Sequence, residues 1–134
     1  MVENTSNTCV IDASYILAFL MPDEKTEHVD DIFLQHKNHT LHFVSHALLR
    51  YELIGGLKSG VLRKRIDRKA AATLVRDFLA MEIFYAEIDF KDVLKLSIES
   101  GLTPYDAGYL WLSQEKKLPL LTLDRQLARL AAAA

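Results

Sequence analysis

Short apolar runs, nearly solid in aliphatic and aromatic residues, alternate along this chain with longer stretches whose apolar residues recur at helical spacing. TCVID precedes SYILAFL, LHFVS precedes ALLRYELIGGL, IFYAEI precedes DVLKLSIES, and LPLLTL precedes RQLARL. A strand without polar alternation has to be covered on both faces, and an intervening helix joins such strands in parallel. The expected fold is therefore α/β: a parallel β-sheet of four to five strands flanked by helices on both faces. A further amphipathic helix is predicted from Glu24 to about His36, with Val29, Ile32 and Phe33 on its apolar side, after Pro22 has stopped the first helix. Another is predicted over 66–80, where Leu74, Val75, Phe78 and Leu79 suit core packing and give the segment a structural role.

With 134 residues, 50% of them apolar, and no internal repeat or low-complexity linker, one domain over 1–134 is expected. No uninterrupted apolar run approaches the roughly 20 residues of a membrane-spanning helix. Residues 1–8 lack the basic start and apolar stretch of a secretory leader. Cys9 is the single cysteine, which excludes an internal disulfide and a thiolate zinc site and makes the cytoplasm the expected compartment. A net charge of −2 does not mark the whole chain as a nucleic-acid binder. Its distribution is more informative: residues 58–69 (KSGVLRKRIDRK) carry six basic side chains against one acid, Asp67. Lys58, Arg63, Lys64 and Arg65 are candidates for phosphate contact, although a solvated helix connection accounts for the same composition.

In an open parallel sheet, ligands bind beyond the carboxyl ends of the strands. Asp12 ends CVID, Asp124 follows LPLLTL, and Asp106 falls in the first turn of a helix opened by Thr103 and Pro104. Helix capping alone can explain each of these three, because aspartate accepts the orphan N–H bonds of a first turn. Glu52 is different. It shares a helix face with Leu48 and Leu49, so it is expected to point inward, where a carboxylate needs a partner such as Arg50 or Lys58, a backbone N–H, or a metal. Four acids at one strand edge would repel one another unless a hard divalent cation joined them, and magnesium or manganese fits an all-oxygen ligand set. No His-x-x-x-His pair on a helix accompanies these acids, which argues against zinc. Such a site suits phosphodiester hydrolysis by a metal-activated water.

Four segments, VIDAS, ALLRYEL, TPYDAGYLWLSQE and LPLLTLDRQL, together resemble a PIN domain, and within that family the VapC toxins of type II toxin–antitoxin pairs. The likeness covers essentially the whole chain, and the YDA and TLD segments with their separation are its most specific part. It implies a sheet of order 3-2-1-4-5, endoribonuclease activity dependent on Mg²⁺ or Mn²⁺, and a homodimer neutralised by a cognate antitoxin. Carried over residue by residue, Asp12, Glu52, Asp106 and Asp124 fall on the family's acidic quartet, with Asp12 and Asp106 foremost for metal contact. Ser14 and Thr122 match its flanking hydroxyl residues. Two departures stand out: His46 replaces a frequent proline, and the chain ends soon after its last helix, which leaves the fifth strand open.

All five histidines lie between His28 and His46, which raises a second metal site against a titrating polar surface. Tyr105, Tyr109 and Trp111 surround Asp106 and can either stack RNA bases or pack in the core. Two other function classes compete with the nuclease. One is a PIN-like module that tethers RNA or serves assembly without catalysis. The other is a magnesium-dependent phosphatase or receiver domain, which would need a second acid near Asp12, where Ala-Ser-Tyr stands instead.

Overall fold

The structure is a computed structural model that describes residues 7–24 and 26–133. Most of the segment read above for a leader, Lys25 and Ala134 thus lie outside the described residues. Elements follow in the order β1 (Thr8–Ile11), α1 (Ala13–Leu20), α2 (Glu27–Lys37), β2 (His42–Ser45), α3 (Leu49–Leu62) and α4 (Arg68–Leu79). Then come β3 (Ile83–Tyr85), α5 (Phe90–Ser100), α6 (Pro104–Lys116), β4 (Leu120–Leu121) and α7 (Arg125–Ala133).

All strand pairs are parallel, in the order β3-β2-β1-β4. Val10 sits opposite Val44 on one side and Leu120 on the other, so β1 is central, and Val10 and Ile11 are fully buried. The crossovers from β1 to β2 and from β2 to β3 step in one direction, and the third returns past β1 to β4. With right-handed crossovers throughout, that reversal puts α5 and α6 on the face opposite α1 to α4. Helix packing follows this division: α1 packs on α2 and α3, and α3 on α4, while α6 packs on α5 and α7. Leu49, Leu53 and Leu57, one turn apart along α3, are buried in the first layer. Leu110 and Leu112 of α6 and Leu127 of α7 are buried in the second.

Most helix starts fall where side-chain caps are available, α3, which follows Leu48, being an exception. Thr26 accepts from the Val29 N–H (3.2 Å), so α2 begins at Glu27 and not at Glu24. Asp67 accepts from the Ala70 N–H (2.7 Å), trimming the helix expected over 66–80 to Arg68–Leu79. Of its four expected core residues, Phe78 is buried, Leu74 and Val75 are half-buried, and Leu79 faces outward. Gly101 ends α5 in the left-handed region (φ 79°), a conformation that costs a residue without Cβ little.

Among the described residues the sheet has four strands, and the fifth strand of the expected 3-2-1-4-5 order does not form. After β4 the chain turns directly into α7. β4 itself is only two residues long, and the next residue, Thr122, hydrogen-bonds through its side chain to Asp12.

Candidate active site

The strand order reverses at β1, so the crevice beyond the carboxyl ends of β1 and β4 is the topological switch point of the sheet. Asp12 directly follows β1 and caps α1, accepting from the Tyr15 N–H at 3.0 Å. Capping is only part of its bonding. Ser14 Oγ donates to its Oδ1 (2.7 Å), and the Thr122 hydroxyl, 110 residues away in sequence, donates to its Oδ2. Ser14 Oγ also accepts from the Leu123 N–H (3.0 Å), and Thr122 Oγ1 from the Asp124 N–H (3.0 Å). The two hydroxyls therefore lock the β4–α7 turn against the start of α1.

Asp12 is only 3% exposed and, among the described residues, has no cationic partner. Burial pushes its carboxyl above the usual range; the hydrogen bonds from Thr122, Ser14 and Tyr15 pull it down, and the nearby charge of Asp124 pushes it up. A carboxylate that loses water without gaining a cation is costly to keep ionised.

Asp106 is placed by the predicted cap: Thr103 Oγ1 accepts from the Asp106 N–H (3.1 Å), with Pro104 at the first helical position of α6. Its side chain takes no part in the cap. Partial burial, then Asp124, then Asp12 raise its affinity for a proton. Glu52, in the first turn of α3, is half-buried as its leucine-flanked face implied, and its partner is the Tyr109 hydroxyl, which donates to Oε1 at 2.5 Å. Burial raises the Glu52 carboxyl most, the tyrosine lowers it, and Asp106 and Asp12 raise it further. Asp124 is exposed and caps α7 through the Leu127 N–H (2.8 Å). The fold thus brings Asp12 and Asp106 within the field of each other and of both Asp124 and Glu52.

Among the described residues, no three His, Cys, Asp or Glu side chains close around a common point tightly enough to form a protein-only metal cage. The donor set nevertheless fits a hydrated hard cation. It consists of carboxylate and hydroxyl oxygens without a balancing positive charge, and magnesium keeps several waters while binding directly to one or two carboxylates.

Two further residues matter here that sequence reasoning did not assign to the site. Tyr109 is 1% exposed and sits one turn after Asp106, so a single face of α6 carries both a carboxylate and the hydroxyl that holds Glu52. Burial, with the nearby carboxylates, drives its phenol far above the usual range and keeps it a donor. His46, at the end of β2, stacks on Tyr109 with ring centroids 4.2 Å apart. The available signals were the i, i+3 spacing of Asp106 and Tyr109, and the unusual His46 at a strand end.

The other histidines do not join His46. His36 stacks on Phe43 (4.1 Å) and donates to the Glu82 carbonyl (2.8 Å), and His39 lies 3.5 Å from the Glu82 carboxylate. Trp111 is half-buried between α6 and α5, its Nε1 donating to Asp92 at 3.3 Å. Lys58, Arg63 and Lys64 are exposed, whereas Arg65 is engaged by Asp23 (2.7 Å) and Glu24 and ties the end of α3 to the turn after α1.

The PIN domain model matches residues 9–133, nearly the whole chain and all four acids. This chain belongs to the PIN domain family. It is 35% identical over 121 residues to Ribonuclease VapC3 of Pyrobaculum aerophilum, covering 89% of this chain and 91% of the relative. It is 27% identical over 119 residues to Exonuclease VapC9 of the same organism, covering 88% and 81%. The crystal structure of PAE2754 from Pyrobaculum aerophilum superposes with a TM-score of 0.73 at 23% identity, covering 96% of this chain and 87% of that one. The PIN fold therefore extends over both helical layers and the switch-point crevice.

Proposed function

We propose that this PIN domain is an endoribonuclease that uses Mg²⁺ or Mn²⁺ to hydrolyse RNA phosphodiester bonds, and that it is the toxin of a type II toxin–antitoxin pair. The observation carrying this reading is Asp12: buried, held by two hydroxyls and a backbone N–H, within the field of three other carboxylates, and without a balancing cation among the described residues. Asp12 and Asp106 would hold the ion, with Glu52 and Asp124 completing its acidic surround. When bound, the cation supplies positive charge to the phosphodiester and acidifies water for attack on phosphorus.

The chain's own residues set the geometry. Ser14 and Thr122 fix the Asp12 carboxylate, Tyr109 fixes Glu52, and the exposed Lys58, Arg63 and Lys64 supply charge for the RNA backbone. The names of the two VapC relatives, a ribonuclease and an exonuclease, support a nuclease.

Two surfaces support the proposed partners. Phe90, Leu94 and Ile98 form an exposed apolar strip one turn apart along α5, suited to a homodimer. A cleft of about 760 Å³ between α1, α2 and α4, with Phe19, Phe33, Leu74 and Met81 in its lining, offers an apolar groove to an antitoxin. No helix among the described residues is long and apolar enough to cross a membrane.

The test is cleavage of a mixed RNA pool by the wild type, Asp12→Asn and Asp106→Asn, with Mn²⁺ or with chelator. Cleavage by the wild type with metal alone is expected. Equal cleavage by all three proteins would contradict the assignment, and RNA retention without cleavage would favour a binding module. Growth arrest relieved by a neighbouring small gene tests the toxin role.

A further inference from the structure

His46 is 2% exposed and makes two directional hydrogen bonds from opposite sides of its ring. Nδ1 accepts from the Leu48 N–H at 3.1 Å, which leaves the proton on Nε2, and Nε2 donates to the Tyr105 carbonyl at 3.0 Å. One neutral tautomer satisfies both bonds, and burial favours that neutral ring. One end of the imidazole thus grips the turn that opens α3, where Glu52 lies. The other grips the first turn of α6, where Asp106 lies.

The ring face stacks on Tyr109, the donor to Glu52. The stack depends on Gly108, since a Cβ there would lie 2.9 Å from His46 Cδ2. The strand before the ring is anchored too: Ser45 Oγ donates to the Ile11 carbonyl (2.9 Å), immediately before Asp12.

We propose that His46 is a positioning residue that latches the first turn of α6 to the start of α3 and so sets the separation of Asp106 from Glu52. It touches neither carboxylate and takes no proton in the reaction. The role rests on the nuclease reading for its effect on turnover and stands independently of it as a statement about how the two turns are held. Residues that orient metal-binding groups from behind typically change affinity or activity by about 10- to 100-fold when removed.

The test pairs His46→Gln with His46→Asn. Glutamine places an amide N–H at the reach of Nε2 and can keep the bond to the Tyr105 carbonyl that joins α6, whereas asparagine places its amide at the reach of Nδ1, satisfying Leu48 N–H but falling short of Tyr105. Each variant is checked for a cooperative melt, then measured for RNA cleavage, for Mn²⁺ affinity from the electron paramagnetic resonance of the free ion, and for hydrogen exchange of residues 103–110. His46→Asn is expected to lower kcat and Mn²⁺ affinity by about 10-fold or more, to leave KM for RNA unchanged, and to speed exchange in 103–110 alone. His46→Gln is expected to stay within a few-fold of wild type in all of these. Folded Asn and Gln variants that match each other and the wild type would overturn the proposal, as would a loss confined to KM or to the melting temperature. If the wild type cleaves no RNA, the nuclease reading fails while exchange and Mn²⁺ affinity still decide the latch. If His46→Asn does not fold, a folded His46→Gln with wild-type exchange and affinity supports the latch, and one with the Asp106→Asn loss contradicts it.

Discussion

The amino-terminal turns of α1 and α4 are built alike, each with an aspartate whose side chain accepts the N–H three residues on: Tyr15 for Asp12, Ala70 for Asp67. Their surroundings differ. Asp67 faces solvent among the basic residues that follow α3, while Asp12 lies at the switch point, sealed from water, bonded by two hydroxyls and within the field of three acids. The same local motif is a helix cap in one place and the centre of a charged cluster in the other. Position in the sheet separates them; residue type and capping geometry do not.

The largest expected effect separates the two aspartates by activity. Asp12→Asn, nearly isosteric, should reduce metal-dependent RNA cleavage by at least about 100-fold, as expected when several kcal/mol of transition-state charge stabilisation is lost. Asp67→Ala should leave kcat unchanged in the same assay. Tyr109→Phe comes next: it keeps the stack on His46 and removes one hydrogen bond to a carboxylate, an interaction of roughly 1.5 to 3 kcal/mol, so kcat should fall by about 10- to 100-fold. Unchanged turnover in that variant would show that the Tyr109 hydroxyl does not set the position of Glu52 in the reaction.

The third effect is on stability. Asp12, Glu52 and Asp106 all have carboxyls raised above their ordinary values of 3.8, 4.5 and 3.8. The folded state then binds more protons than the unfolded chain, so these groups stabilise the fold most at low pH, and that contribution is lost as pH rises through their raised values. With chelator, thermal melts should show this site contribution draining away above the ordinary carboxylate range. Mn²⁺ at about 100 times its Kd should restore roughly 2.7 kcal/mol near neutral pH and less at pH 5. Asp12→Asn should flatten the metal-free slope, whereas Asp67→Ala should not. The smallest effect belongs to the plain cap: Asp67→Ala should lower unfolding free energy by about 1 kcal/mol in a denaturant titration.

Much of this was legible in the sequence because it is local. Solid apolar runs identify the strands, Thr103 with Pro104 identifies the start of α6, and the leucines around Glu52 announce its burial. What could not be read depends on contacts between distant segments. Nothing near Glu52 points to Tyr109, 57 residues on, as its partner in place of Arg50 or Lys58. Arg65 reads as a free phosphate contact until the fold returns Asp23 and Glu24 to its side. Leu79 follows the helical apolar pattern yet ends outside the core, because the pattern states which face is apolar and not how far along the helix the sheet extends. The fifth strand was expected beyond the last helix, and the described residues end within that helix, α7.

Calorimetric titration of Mn²⁺ into the wild type, Asp12→Asn and Asp67→Ala bears most directly on the claim that the switch-point acids form one cation site. Saturable binding shared by the wild type and Asp67→Ala, and weakened at least about 10-fold in Asp12→Asn, is the expected result. Equal binding in all three proteins, or none in the wild type, would contradict it.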